Sequence, residues 1–375
     1  TLGADNGLGM AAAMAVFEAT DLVHGYLEML LTVDEETGMT GAFGLKPGLL
    51  KGDILLNLDT EEEGDLCVGC AGGTNANMKF SYTEESVTGD LVAYNLVVKG
   101  LKGGHSGVDI HLERGNSNKM LNRMLWYGYY KMGLRIASID GGSLRNAIPR
   151  ESCALITLPK NNAEKFLAYV KEFTATVINE YKNVETDITI LAEPVALPKN
   201  WIDYGTTGRL INAIYGTPNG VIRVSQDMKG LVETSTNLAI VKSHDGVIEV
   251  LCLLRSSVDS AKEDLENMFA GVYELAGAEY VFDGKYPGWK PNMDSAILKE
   301  MLLAYEKQFG NKPHIGAIHA GLECGLLGGV YKNWDMISFG PTINFPHSPD
   351  EKANIPSVEK FWAFLTETLK NAPKK

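Results

Sequence analysis

Residues 26–38 read Tyr26-Leu27-Glu28-Met29-Leu30-Leu31-Thr32-Val33-Asp34-Glu35-Glu36-Thr37-Gly38, and residues 53–64 read Asp53-Ile54-Leu55-Leu56-Asn57-Leu58-Asp59-Thr60-Glu61-Glu62-Glu63-Gly64. Each is a near-continuous apolar run that ends in acid. A run with no polar alternation fits a strand covered on both faces. Before the first run, Gly7-Leu8-Gly9-Met10-Ala11-Ala12-Ala13-Met14-Ala15-Val16-Phe17 is rich in Ala and Met and reads as a buried helix over about 7–23. Helix, buried strand, acidic loop, buried strand, acidic loop is an α/β layout. Open α/β sheets place their polar sites at such strand ends.

The style changes after Gly72-Gly73. From about 77 to 100 the residues alternate, as in Leu91-Val92-Ala93-Tyr94-Asn95-Leu96-Val97-Val98, which predicts antiparallel strands. Helices are predicted near 114–132, 162–182, 206–214 and 259–276, with strands near 135–139, 154–158, 186–193 and 236–255. The pattern suggests two βαββαβ-like halves in an inserted α+β domain. From about Pro291 the α/β style resumes, with a helix at 294–309, a strand at 335–339 and a closing helix at 356–371. The domain reading is therefore a discontinuous catalytic domain, 1–72 and 287–375, around an insert, 73–286.

At 375 residues the chain is longer than one core usually reaches. A net charge of −13 and a pI near 5.1 argue against a nucleic-acid partner and against docking on an anionic membrane. No run of about 18 apolar residues predicts a membrane span. Five scattered cysteines, Cys67, Cys70, Cys153, Cys252 and Cys324, fit a reducing, cytoplasmic setting. The Cys67/Cys70 pair has no second pair and no helix start after its first Cys, so buried thiols are favoured over zinc or redox use.

Asp5, Glu35, Glu36, Asp59 and His347 carry the candidate chemistry. Singly, carboxylates in such loops are often helix caps or solvated ends. Together with His347, held between prolines in Phe345-Pro346-His347-Ser348-Pro349, they have the composition of a zinc or manganese hydrolase site. The adjacent pair Glu35-Glu36, taken as extended, points its side chains apart. One can then hold a metal while the other serves as a base.

Seven ordered motifs now gain meaning together. They are Thr1-Leu2-Gly3-Ala4-Asp5-Asn6-Gly7-Leu8-Gly9, Asp34-Glu35-Glu36-Thr37-Gly38-Met39, Leu58-Asp59, Gly103-Gly104-His105-Ser106-Gly107, Gly141-Gly142-Ser143-Leu144-Arg145-Asn146-Ala147-Ile148-Pro149, His319-Ala320-Gly321-Leu322-Glu323-Cys324-Gly325 and Phe345-Pro346-His347-Ser348-Pro349. Over essentially the whole chain they resemble the aminoacyl-histidine (Xaa-His) dipeptidases, of the dinuclear metallopeptidase superfamily that also holds carnosinases and tripeptidases. The resemblance implies a zinc-exopeptidase-like α/β catalytic domain with an inserted α+β lid. It implies two divalent ions, Zn²⁺ or else Mn²⁺ or Co²⁺. Asp5 would bridge them, Glu36 and His347 would complete one, and Asp59 would belong to the other.

By the same resemblance Glu35 is the general base and His105 polarises the scissile carbonyl. Asn146 and Arg255 hold the substrate's terminal carboxylate, and Gly321 lines the substrate loop. A small peptide substrate and a homodimer through the lid follow. Read without the family, His105 is equally a turn residue, Arg255 a surface ion pair and Asn146 a turn former. The remaining histidines, His24, His111, His244, His314 and His319, match no ligand position.

The chain departs from the family pattern in one respect. The family places a His-x-Asp on a strand upstream of Ala4-Asp5-Asn6-Gly7, and no His-x-Asp occurs in this chain. The expectation is that the N-terminal part of the catalytic domain is missing and that residues 1–375 alone are not a competent dinuclear hydrolase. Two other readings stay open: an N-acyl amino acid deacylase, and an inactive homologue that binds peptide or metal without turnover.

Overall fold

The computed structural model describes residues 2–373. The chain divides into two compact units. The first comprises Thr1–Gly72, Gln226–Leu231 and Tyr286–Lys375; the second comprises Gly73–Ser225 and Val232–Lys285. The short segment Gln226–Leu231 groups with the first unit, which an insert read as 73–286 does not anticipate.

The first unit is built on a four-stranded sheet in the order Ile54–Asn57, Asp335–Ser338, Asp65–Cys70, His314–Ile318. The two outer pairs are parallel and the central pair antiparallel. Successive side chains point to opposite faces, and here they enter different cores. Leu66, Val68 and Ile337 join a cluster with Leu298 and Met301 of helix Ala296–Phe309, Phe361 and Phe364 of helix Ile355–Asn371, and Ala12 and Val16 of helix Ala4–Glu18. Cys67 and Met336 face the other way, onto Trp289 and Cys324. Both faces are covered, so these strands read as unbroken apolar runs. Cys67 and Cys70 are buried free thiols in that core. Burial pushes Cys70 up to about 12, so it is a packing residue at neutral pH.

One predicted strand is absent. The described residues 19–34 form no helix or strand, although Tyr26–Val33 has the apolar composition of a doubly covered strand. Leu27 and Leu30 pack on the cores, whereas Tyr26, Leu31 and Val33 are exposed. Apolar content specifies burial, but a strand also needs a neighbour to take its backbone hydrogen bonds. Among the described residues the edge strand Ile54–Asn57 pairs only with Asp335–Ser338. The predicted helix over 7–23 also lies earlier, at Ala4–Glu18.

The second unit is a nine-stranded sheet with the path Thr189–Val195, Leu91–Lys99, Ser152–Pro159, Arg135–Gly141, Val232–His244, Val247–Ser256, Gly72–Ser81, Glu279–Tyr286. Gly220–Val224 adds to Val232–His244 off the path. Helices Ser117–Met132, Ala163–Tyr181, Tyr204–Gly216 and Asp259–Leu275 bury Met124, Phe166, Ile211 and Phe269 against it in one core. Two βαββαβ halves are present, each with strand order 4-1-3-2. They are nested rather than tandem. The half that closes with Glu279–Tyr286 begins at Gly72–Ser81, and the other half is inserted after that first strand. The halves join where Val241 pairs with Gly141. Local periodicity marks strands and helices but not which distant strand completes a half.

Among the described residues no helix is long and apolar enough to cross a membrane.

Candidate metal centre and its acidic surround

Three loops of the first unit bring the acidic residues together. Asp5 lies at the start of helix Ala4–Glu18, where Asp5 and Asn6 depart from helical φ/ψ. Glu351 fixes this turn, because its carboxylate accepts from the backbone N–H groups of Gly3, Ala4 and Asp5 at 2.9, 2.8 and 3.1 Å. These donors, that of Gly3 foremost, hold the Glu351 carboxyl below its ordinary range.

Glu35 and Glu36 open a one-turn helix, Glu35–Gly38, rather than the extended segment expected. Neighbours on a helix still diverge by about 100°, so the pair remains divided. The Asp34 carboxylate accepts from the Thr37 and Thr40 hydroxyls and closes this loop. His347 has φ +60° between Pro346 and Ser348, and the Ser348 hydroxyl donates to Phe345 O at 2.8 Å.

The outcome is a compact donor set. His347 Nε2 lies 3.0 Å from Asp5 Oδ2 and 2.8 Å from Glu36 Oε2. Among the described residues, Asp5, Glu36 and His347 form the one group of three whose ligand atoms lie within 4.8 Å of one another. An imidazole nitrogen with two carboxylates is a set that suits Zn²⁺ or Mn²⁺. Asp59, just past strand Ile54–Asn57, stands outside that trio but within its field. Burial first, and then Glu35, Asp5 and Glu36, push its carboxyl up to about 8. Burial and then Glu36, Glu323 and Asp5 push Glu35 up to about 7. Burial works against the His347 cation, yet Glu36 and Asp5 raise its pKa overall. So many carboxyls held above their ordinary range mark a site short of positive charge, which a divalent cation would supply.

Two residues of this site carried no role in the sequence reading. Glu351 follows the Pro-bracketed His, but its partners lie 346 to 348 positions away. Glu323 lies in the same motif as Gly321, and its carboxylate accepts from Thr32 at 2.8 Å. Gly321 itself packs close to a ring, since a Cβ there would stand 3.2 Å from Tyr286.

The second unit gathers His105, Asn146 and Arg255. Gly104–His105 pairs with Ala147–Ile148 in a two-stranded ribbon, and Asn146 O accepts from Ser106 N at 2.8 Å. Gly103 and Gly104 both have positive φ, and a Cβ on Gly104 would collide with Arg114 and Asp109. The backbone N–H groups of Gly107 and Val108 both donate to His105 Nδ1, at 3.2 and 3.0 Å. Nδ1 is therefore an acceptor, and the ring proton sits on Nε2. Partial burial, followed by the Arg255 guanidinium, lowers the His105 pKa and keeps the ring neutral. Arg255 pairs with Ser235, two residues from Asn237, whose amide holds Arg145 O and Ala147 O. By strand alternation Arg255 and Asn237 share a face.

Of the histidines without an expected role, His24, His111, His244 and His314 bond to Gly25 O, Val108 O, Glu249 and Asp65, away from the trio; His319 is buried.

Residues 3–371 match peptidase family M20/M25/M40. The chain is 44% identical over 375 residues to the cytosol non-specific dipeptidase of Escherichia coli (strain K12), covering 100% of this chain and 77% of that protein. It matches the crystal structure of the aminoacylhistidine dipeptidase from Vibrio alginolyticus with a TM-score of 0.97 and 47% identity, over 100% of this chain and 76% of that one. The resemblance drawn from the motifs therefore holds: the chain is a homologue of aminoacylhistidine dipeptidases.

Proposed function

We propose that this chain, which belongs to peptidase family M20/M25/M40, hydrolyses dipeptides of the Xaa-His type that carry a free C-terminal carboxylate. The observation that carries this reading is the Asp5–His347–Glu36 trio with Glu35 beside it. The names of the two relatives, one a non-specific dipeptidase and one an aminoacylhistidine dipeptidase, support the substrate class.

Asp5, Glu36, His347 and Asp59 would hold two divalent ions, which when bound supply Lewis-acid polarisation and make a water acidic near pH 7. Glu35, next to a ligand but outside the trio, takes the proton of the attacking water and returns it to the leaving amine. A carboxyl poised near 7 suits that exchange. His105, neutral and with its proton on Nε2, donates a hydrogen bond to the carbonyl oxygen as negative charge develops there. Arg255 and Asn146 bind the terminal carboxylate, Arg255 by bidentate geometry. Gly321 lines the peptide-binding loop. The second unit also supplies a homodimer contact, and the five free thiols fit a cytoplasmic setting.

The test uses the natural polypeptide that carries these 375 residues, loaded with Zn²⁺ or Mn²⁺. Metal content and turnover are measured on an Xaa-His dipeptide, on dipeptides with other C-terminal residues, and on N-acyl amino acids. Metal-dependent cleavage with the Xaa-His dipeptide preferred supports the proposal. Faster cleavage of N-acyl amino acids makes the chain a deacylase. Metal or peptide binding without turnover makes it a binding homologue.

A further inference from the structure

One carboxylate of the acidic surround has no part in the mechanism above. Glu323 opens helix Glu323–Val330 and is 7% exposed. Its two oxygens have unlike surroundings. Oε2 accepts from Thr32 Oγ1 at 2.8 Å. Oε1 is buried and has no hydrogen-bond partner among the described residues. An unmatched buried acceptor is costly, and more so when charged, so this oxygen is suited to a donor that arrives with a ligand.

The Thr32 bond ties Glu323 to the loop that carries the general base. Thr32 lies three residues before Glu35 on one loop. Glu323 is not one of the three residues that could share an ion.

We infer that Glu323 Oε1 receives the free α-ammonium of the dipeptide and thereby selects unblocked over N-acylated substrates. This rests on the dipeptidase reading. In a dipeptide the ammonium nitrogen is two bonds from the scissile carbonyl carbon, about 2.5 Å away. Whatever reads that ammonium must stand near the general base, and the Thr32 bond holds Glu323 against the loop that carries it. An α-amino group has a pKa of about 8 and is mostly protonated at neutral pH. Its three donors can form a charge-assisted bond to the buried carboxylate. An N-acyl group replaces the cation with a neutral amide and leaves the buried oxygen poorly matched, which is the kind of mismatch that discriminates strongly.

The experiment compares wild type, Glu323→Gln and Thr32→Val in the Mn²⁺-loaded natural polypeptide. Alanyl-histidine and N-acetyl-alanyl-histidine are used as ligands, with kcat, KM, calorimetric Kd and metal content as readouts. Glu323→Gln is expected to raise KM and Kd for alanyl-histidine by about 10–100-fold, the scale of one charged hydrogen bond. The weak binding of the N-acetyl compound and the metal content should stay unchanged. Thr32→Val should move the same ratio in the same direction by less. Equal losses on both ligands, no change on either, or loss of metal in Glu323→Gln would overturn the assignment. If wild type cleaves neither peptide, the dipeptidase reading fails by itself. The calorimetric ratio of free to acetylated ligand, wild type against Glu323→Gln, still decides Glu323, and an unchanged ratio overturns it.

Discussion

The acidic loops of the first unit and the helix–sheet core of the second solve opposite problems. In the core of the second unit, several polar side chains brought inside donate to backbone carbonyls. Lys119 Nζ reaches the carbonyls of Ile214, Tyr215 and Thr217 at the end of helix Tyr204–Gly216. The Asn122 amide donates to Ile211 O and that of Asn118 to Ala239 O. In the first unit, Asp5, Glu35, Glu36, Asp59 and Glu323 press on one another, with the His347 imidazole among them. These bonds in the core of the second unit hold its shape. The first keeps a crowd of like charges that a bound cation would relieve, as functional sites do.

The sharpest way to break this contrast is to remove the base while keeping the cation site. Glu35→Ala should lower kcat by about 10²–10⁴ and leave metal content unchanged, measured by steady-state kinetics and elemental analysis. Loss of metal with the rate per bound ion preserved would exchange the roles of Glu35 and Glu36. Removing a ligand comes next. His347→Ala should weaken Mn²⁺ or Zn²⁺ binding by at least the ~10–100-fold typical of outer-shell partners, read by competition with a chelating dye.

The imbalance should also show in the metal-free protein without any mutation. Glu35 and Asp59 titrate near 7 and 8 when folded, above their ordinary values of 4.5 and 3.8. Between those limits the folded chain binds protons that the unfolded chain has lost. Stability from these groups is therefore full below about pH 4 and falls as the pH rises through about 8. In chelator, Tm should decline over that range more steeply than in Glu35→Gln, and added Mn²⁺ should flatten the decline. A metal-free Tm that rises from pH 5 to 8, with no difference in Glu35→Gln, would remove the electrostatic half of the comparison.

The smallest effect belongs to the second unit. Burial lowers the Lys119 pKa to about 8, but three carbonyls at a helix C-terminus favour its ammonium. Lys119→Met should cost about 1–2 kcal/mol in denaturant unfolding and leave metal affinity untouched.

The sequence showed one half of this contrast better than the other. Helix Ala296–Phe309 and strand Asp335–Ser338 fall close to where periodicity put them, because each buries its apolar face locally. Tyr26–Val33 has the same apolar signal but forms no strand, since pairing is a property of a neighbour and not of the run. The nesting of the two βαββαβ halves was hidden because Gly72–Ser81 completes a half whose other strands begin at residue 232.

In the site, Asp5, Glu36 and His347 could be picked out because several carboxylates occur together with a Pro-bracketed His, and the motif resemblance implied their roles. Glu351 and Glu323 could not. A glutamate that holds the backbone of Gly3, or one that waits beside Thr32, looks in sequence like any solvated acid.

Asp5, Glu36 and His347 are proposed to form a divalent-cation site. Its most direct test is a calorimetric Mn²⁺ titration of the metal-free wild type beside Asp5→Asn, Glu36→Gln and Glu35→Ala. Saturable binding is expected in wild type, retained in Glu35→Ala and strongly weakened in both Asp5→Asn and Glu36→Gln. Binding of equal strength in Asp5→Asn and wild type, or no saturable binding in wild type, would contradict it.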